Sequence, residues 1–429
     1  MRNGPKLANI PKNDVVNIIL IVNALVWYLC FFSFLKNNLG FTGNNLVVIF
    51  GINLLATVLS AIMSTKIIQK IENRSKFIVY WIAAGMLISL LPFLTDSSFL
   101  SDLTFIIPNV VGPSLPRLFI PTGVSLYLAS FISGTVGLYC GFGFPVLAGH
   151  YSATTKSTNR AKISGLIIFF TSISFIPVIL FAQNPASTAI VLTIWKLVGL
   201  LAILLLKPSE VKINKEEPVS YKSILKTRSI ILYLIPWLMF SIVNNFALPT
   251  LNIGFDNELI ITMTILENFL AGLFAVLFGV AADYFGRKRL LFLGFTMLGL
   301  GYATLGLFPS SMNGLFFYTL VDGIAWGTFT TLFLLTIWGD IADKRDSEKF
   351  FLIGFLPYMF STFLQVLFGQ FIADSAINLT SIFFFISLFL FIAVTPLYLA
   401  PETLSEKDKR DSDLQIYLDK AQKKLKKKQ

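Results

Sequence analysis

Charge is scarce in this sequence. Only 13% of its 429 residues are Asp, Glu, Lys or Arg, where a soluble chain carries about 25%. That deficit excludes a water-soluble domain. Cysteine and histidine are scarcer still, at Cys30, Cys140 and His150. Both cysteines fall inside apolar segments, without CxxC spacing or a histidine cluster, so neither a disulfide framework nor a metal centre is expected. A glycine-rich phosphate loop is missing, which leaves direct ATP-driven chemistry and any bound cofactor without support. With one histidine and no paired Asp motif, the catalytic cluster that a lipid-modifying membrane enzyme needs is missing as well.

What the chain has instead is apolar bulk. It is 55% hydrophobic with 43 Phe, at a mean hydropathy of +0.75. Stretches of about 20 apolar residues recur along its length, each able to cross a hydrocarbon layer of roughly 30 Å. The hydropathy places helices at 14–35, 46–64, 76–95, 124–149, 161–182, 186–206, 229–249, 259–281, 289–309, 314–338, 350–372 and 377–399. The first follows basic Arg2, Lys6 and Lys12, but it is too long for a signal peptide and lacks a small-residue cleavage site. The expectation is an all-α polytopic membrane protein with twelve crossings.

The net charge of +11 would suggest nucleic acid in a soluble protein. Here the placement of the charge speaks against that partner. On the twelve-helix layout, every Lys and Arg except Lys36, Arg117 and Lys196 falls on one side or in the tails. Clusters stand at Lys66, Lys70, Arg74 and Lys76, at Lys156, Arg160 and Lys162, and at Arg287, Lys288 and Arg289. The positive-inside rule then puts both termini in the cytoplasm, with a cell membrane as the location. The polar stretch 207–228 divides the chain into an N-terminal bundle (1–206) and a C-terminal bundle (229–400), followed by a basic tail (401–429) that ends in KKLKKKQ and suits anionic lipid.

The halves read as a repeat. Ser133-Gly134, Arg160 and Gly165 recur as Asp322-Gly323, Lys349 and Gly354 at a constant offset of 189. Helices 1 and 2 map onto 7 and 8 at an offset near 213; the surplus matches the proline-containing external segment 97–123. Two six-helix bundles of parallel topology are a recurring plan of secondary transporters.

After helix 8 stands Gly279-Val-Ala-Ala-Asp283-Tyr-Phe-Gly286-Arg287-Lys288-Arg289. It resembles the signature loop of the major facilitator superfamily, G-x-x-x-D-(R/K)-x-G-(R/K)-(R/K). In the first-half copy Lys70 stands in the Asp position and Asn73 in the Gly position, and only Arg74 keeps the pattern. The resemblance implies a major facilitator fold that exposes one site alternately to each side, with this loop latching one state. By pseudo-symmetry Asp283 is expected against the start of helix 5, near Arg160 and Gly165.

Ionisable groups inside spans face a partner or a cavity. Here they are Glu267, Asp322 and Lys196. The resemblance puts helices 1, 4, 7 and 10 around the cavity. The expected substrate or proton site is therefore Asp322 with Trp326 and Thr330, joined by Glu267, Asn23, Trp27, Asn244, Asn245 and Lys196. His150 reads as a lone histidine at the surface end of helix 4. Pro401-Glu402-Thr403 resembles the ending of sugar porters, but the companion signature after helix 6 is missing. Helix 5 also lacks the Gly-rich, Gly-Pro stretch of drug–proton antiporters, which counts mildly against drug export. The function implied is a monomeric secondary transporter, symporter or antiporter, for a small solute, with protons as coupling ion through Asp322 or Glu267. Two alternatives are a non-transporting sensor or assembly partner of the same fold and a polytopic enzyme.

Overall fold

The computed structural model describes residues 11–71, 74–96, 124–207, 219–342, 346–373, 378–404 and 414. The segment 97–123 and nearly all of the basic tail lie outside them. Twelve long helices run in sequence order: α1 Lys12–Asn37, α2 Gly43–Ile68, α3 Arg74–Ile88, α4 Leu126–Thr154, α5 Ser157–Phe181 and α6 Pro185–Leu206, then α7 Arg228–Gly254, α8 Asn257–Phe285, α9 Arg287–Leu307, α10 Met312–Phe329, α11 Ser347–Ala373 and α12 Leu379–Leu399. A helix of 26 residues, such as α1, is about 39 Å long and overshoots a hydrocarbon core of roughly 30 Å. The helices therefore extend past most of the hydropathy-based limits by a few residues, into the polar zone on the two sides.

Local sequence sets several helix ends. Asn184 caps α6 through a reciprocal capping box with Ser187, and Pro185 occupies the first turn, where its missing N–H costs nothing. Ser311 caps α10 by accepting from the Gly314 N–H. Large side chains left exposed recur one turn apart, as at Leu55, Leu59 and Met63 of α2. In water that stripe would be a liability; in a bilayer it is the lipid-facing side.

Helices α1–α6 pack into one bundle, with α1 against α5 and α6 and α2 along α4; α7–α12 form the second. The bundles meet where α5 lies along α8 and where α11 crosses α2 and α4. Glycine makes the first of these contacts close. A Cβ on Gly279 would stand 2.5 Å from the Ala161 carbonyl oxygen, and one on Gly165 would collide with the Ala275 carbonyl.

α10 is not uniform. Its α-helical part gives way to a π turn at Thr330–Leu334, and a short helix, Ile337–Ala342, completes the span. Thr336 Oγ1 donates across the break to the Thr331 carbonyl at 2.6 Å, and the Trp338 indole donates to the Phe333 carbonyl. π turns concentrate at functional sites.

Candidate functional site: a latched face and two cavities

The face that carries the basic loops is closed by ion pairs between the bundles. Asp283, in the last turn of α8, accepts from the backbone N–H groups of Ala161 (3.2 Å) and Lys162 (2.8 Å), near the start of α5. A carboxylate near that end also meets the positive end of the helix dipole. Arg287 pairs with Asp283 at 2.8 Å and with Asp340 at 3.1 Å. It also donates to the Ser157 carbonyl in the other bundle at 2.6 Å. Asp340, in the last stretch of α10, pairs across the interface with Arg160. Asp283 and Arg287 of the loop thus converge with Asp340 and Arg160 at the junction of α5, α8 and α10.

Gly286 makes the turn possible. Its φ of +102° lies where L-residues rarely go, and a Cβ would stand 2.5 Å from Glu402 Oε2. Glu402 accepts from the N–H groups of Arg287 (2.9 Å) and Lys288 (3.2 Å), so the Pro-Glu-Thr sequence after α12 caps the start of α9. Lys288 reaches back to the Tyr398 and Ala400 carbonyls, while Arg289 is exposed.

The related corner in the first half is built differently. Its loop lacks the aspartate, and the carboxylate comes from the opposite bundle: Glu348, at the start of α11, pairs with Arg74 at 2.6 Å. Beside it Asp346 accepts from Gln69 (3.1 Å), from the Val219 N–H (2.8 Å) and from Lys349 (3.0 Å). His150 lies at this corner. It is 1% exposed, and neither ring nitrogen has a partner among the described residues. This corrects its reading as a surface histidine, because the end of α4 is covered by α11.

Between the bundles lies a cavity lined by α1, α2, α4, α10 and α11. Its walls are apolar and aromatic, including Tyr28, Phe144 and Met359, with Asn53 and Thr57 as polar points and no charged side chain. A second cavity lies within the C-terminal bundle among α7, α8, α10 and α11. Glu267, Asp322 and Trp326 all line it. Each carboxylate stands about 15 Å along its helix from the far end, near the bilayer midplane. α8 and α10 touch there, since a Cβ on Gly323 would be 3.2 Å from the Glu267 carbonyl oxygen. Asp322 accepts from Tyr318 at 2.8 Å, and Tyr318 in turn meets Tyr302 at 3.0 Å.

The remaining predicted cavity residues go elsewhere. On α1 the cavity face is Ile21, Leu25 and Tyr28; Asn23 lies about 200° around the helix from Ile21. Asn23 and Trp27 instead face the interior of their own bundle. Asn23 donates to the Trp195 carbonyl, and the Trp27 indole donates to Ser89 at 2.7 Å. Lys196 joins them, 0% exposed, with Nζ 4.8 Å from the Trp27 ring, 5.0 Å from Trp81 and 5.3 Å from Tyr139. Among the described residues it has no carboxylate partner, and it lines neither cavity; three aromatic faces surround it instead. Thr330 starts the π turn and bonds the Trp326 carbonyl at 2.6 Å. The side chains of Asn244 and Asn245 lie outside the described residues.

Sequence reasoning missed Asp340, Glu348 and Asp346. Their signal was available as acidic residues flanking the basic loop 343–345, on the side where cations otherwise dominate. It missed the aromatic lining of the central cavity altogether, because Phe and Tyr stripes in an apolar span look the same whether they meet lipid or a cavity.

The sequence profile of the Major Facilitator Superfamily matches residues 227–429. No curated protein has a sequence that matches the chain. Solved structures do. The human organic anion transporter MFSD10 (TETRAN) is similar over 91% of this chain and 100% of its own, at 11% identity and TM-score 0.61. The proton:xylose symporter XylE, bound to 6-bromo-6-deoxy-D-glucose, is similar over 91% and 96%, at 12% identity and TM-score 0.64. A bacterial homologue of the iron transporter ferroportin, in an outward-facing state, is similar over 90% and 96%, at 12% identity and TM-score 0.59. Identities this low carry the fold and not the cargo. The C-terminal part of the chain thus matches the sequence pattern of the Major Facilitator Superfamily, and the whole chain shares the architecture of these solved transporters.

Proposed function

We propose that the chain is a secondary active transporter that moves a small solute by rocking its two bundles about the central cavity, driven by protons exchanged at Asp322 and Glu267. The observation that carries this reading is the closure of one face by ion pairs between the bundles, with a cavity left between them. A closure made of hydrogen bonds and ion pairs, and not of a continuous apolar interface, is one that water can replace when the bundles separate. Asp283, Arg160, Arg287 and Asp340 hold the closed arrangement. Gly165 and Gly279 let α5 and α8 pivot in close contact. Lys288 and Arg289 keep the loop at the lipid surface.

The basic face is cytoplasmic in this reading, by the charge asymmetry, and the membrane is the cell's. Two carboxylates near the midplane, one tied to a tyrosine pair, provide the acid groups through which a proton gradient drives the cycle.

Proteoliposomes loaded with a pH-sensitive dye test the proposal. A diverse panel of solutes is added outside and internal pH is followed. A solute-dependent proton flux in the wild type that is lost in Asp322→Asn supports the reading. No solute-dependent flux across the panel, from protein that is folded by its melting curve, overturns it.

A further inference from the structure

The cavity inside the C-terminal bundle has an imbalance of charge. It holds two carboxylates, Glu267 and Asp322, and no cation. No cation is near in sequence either: residues 229–286, 290–343 and 350–406 contain no Lys, Arg or His. Every basic group of this half lies on the latched face or in the tail. The approach from the other face is acidic, because Asp256 and Glu258, both exposed, stand at the turn between α7 and α8. Glu267 follows Glu258 at about 14 Å along α8. Like-signed groups leading into low-dielectric walls concentrate ions of the opposite sign.

The walls say which kind of cation. Trp326 and Tyr318 present aromatic rings, and Leu251, Met263 and Leu315 add apolar surface. A bare metal ion wants several oxygen ligands in a tight shell, and no cluster of three or more His, Cys, Asp or Glu exists among the described residues. A positive charge held between carboxylates and an indole face fits a quaternary or protonated nitrogen.

Resting on the transport reading above, we propose that the substrates are lipophilic organic cations, and that the Glu267–Asp322 site binds their charge in exchange for a proton. The same two carboxylates hold either the proton or the cation, so the two move in opposite directions. The titratable groups facing the pair are Tyr318 on α10 and, behind it, Tyr302 on α9; α7 and α11 present Leu251 and Gln365.

The test uses radiolabelled tetraphenylphosphonium and its isosteric anion, tetraphenylborate, with the full chain in nanodiscs. The phosphonium is expected to bind with one site per chain, to bind less as pH falls and to release protons in an unbuffered medium. Its affinity should drop at least about tenfold in Glu267→Gln and in Asp322→Asn, as for a lost contact to a charged group, and less in Trp326→Leu. Melting curves and elution profiles confirm that the variants are folded. Equal affinity for the borate, binding unaffected by either carboxylate variant, or no phosphonium binding overturns the inference. So does displacement of the phosphonium by one manganese ion with higher affinity, which would mark a metal site. Binding as described without proton-coupled flux in proteoliposomes leaves the site standing and refutes the transport reading. Flux of some uncharged solute without phosphonium binding does the reverse.

Discussion

Replacing Asp340 with asparagine perturbs the latch at its centre. The Asp340 carboxylate is fully buried and joins two guanidiniums, Arg160 from one bundle and Arg287 from the other. Removing one partner of a buried ion pair costs about 3–5 kcal/mol. Asparagine keeps an acceptor oxygen, so the lower end applies. The cost of losing the Arg160 pair falls on the closed arrangement, because Arg160 and Asp340 lie in different bundles and part when it opens. A difference of about 3 kcal/mol shifts the ratio of the two arrangements by about two powers of ten, enough to bring a 99:1 equilibrium near parity. Spin labels at Lys156→Cys and Arg289→Cys, both exposed and in opposite bundles, report the separation. The native Cys30 and Cys140 are buried and stay unlabelled. The expected result is a second, longer distance in Asp340→Asn, amounting to half the population or more. An unchanged distance distribution, with the melting temperature lowered, would show that Asp340 only supports packing and would refute the latch.

Other outcomes follow from the same geometry. Arg74→Glu or Glu348→Arg alone places like charges together in a buried corner and should cut transport sharply, while the double variant should recover part of it; equal loss in all three excludes the pair as a closure element. Glu402→Gln weakens the cap on α9 and should lower stability by about 1 kcal/mol, seen as a lower melting temperature; no change would mean the cap is idle. Gly165→Val drives a side chain into the Ala275 backbone and should separate α5 from α8, leaving expression intact but the labelled distance lengthened; wild-type distances would show that the interface tolerates bulk. Lys196→Met removes a buried cation while filling the same space and should leave the melting temperature equal or higher; a fall of more than a few degrees would show that the aromatic cage holds the bundle together through the charge.

The number, order and approximate limits of the helices were legible in the sequence because lipid imposes a length on every apolar run and basic residues sort to one side. The contact between Asp283 and α5 was legible through the repeat. The interior of each half was not. Asn23, Trp27 and Lys196 are polar groups in apolar spans, and hydropathy gives no angle around the helix, so an aromatic cage and a transport cavity look alike. Glu267 and Asp322 were found because a carboxylate is costly wherever it sits in the bilayer; what surrounds them could be read only once α8 and α10 were seen side by side. The missing aspartate of the first-half loop was visible, but not that α11 supplies its replacement.

That replacement ties a knot the other corner does not have. Asp346 accepts from the Val219 N–H, close to the start of the second bundle, and Lys349 donates to the carbonyl of the same residue. The tether is thereby fastened to the jamb of one door. In the proposed cycle, swinging that door wide would require unhooking the tether first, while the corner at Asp283 would swing free of it, so the two hinges would be loaded unequally.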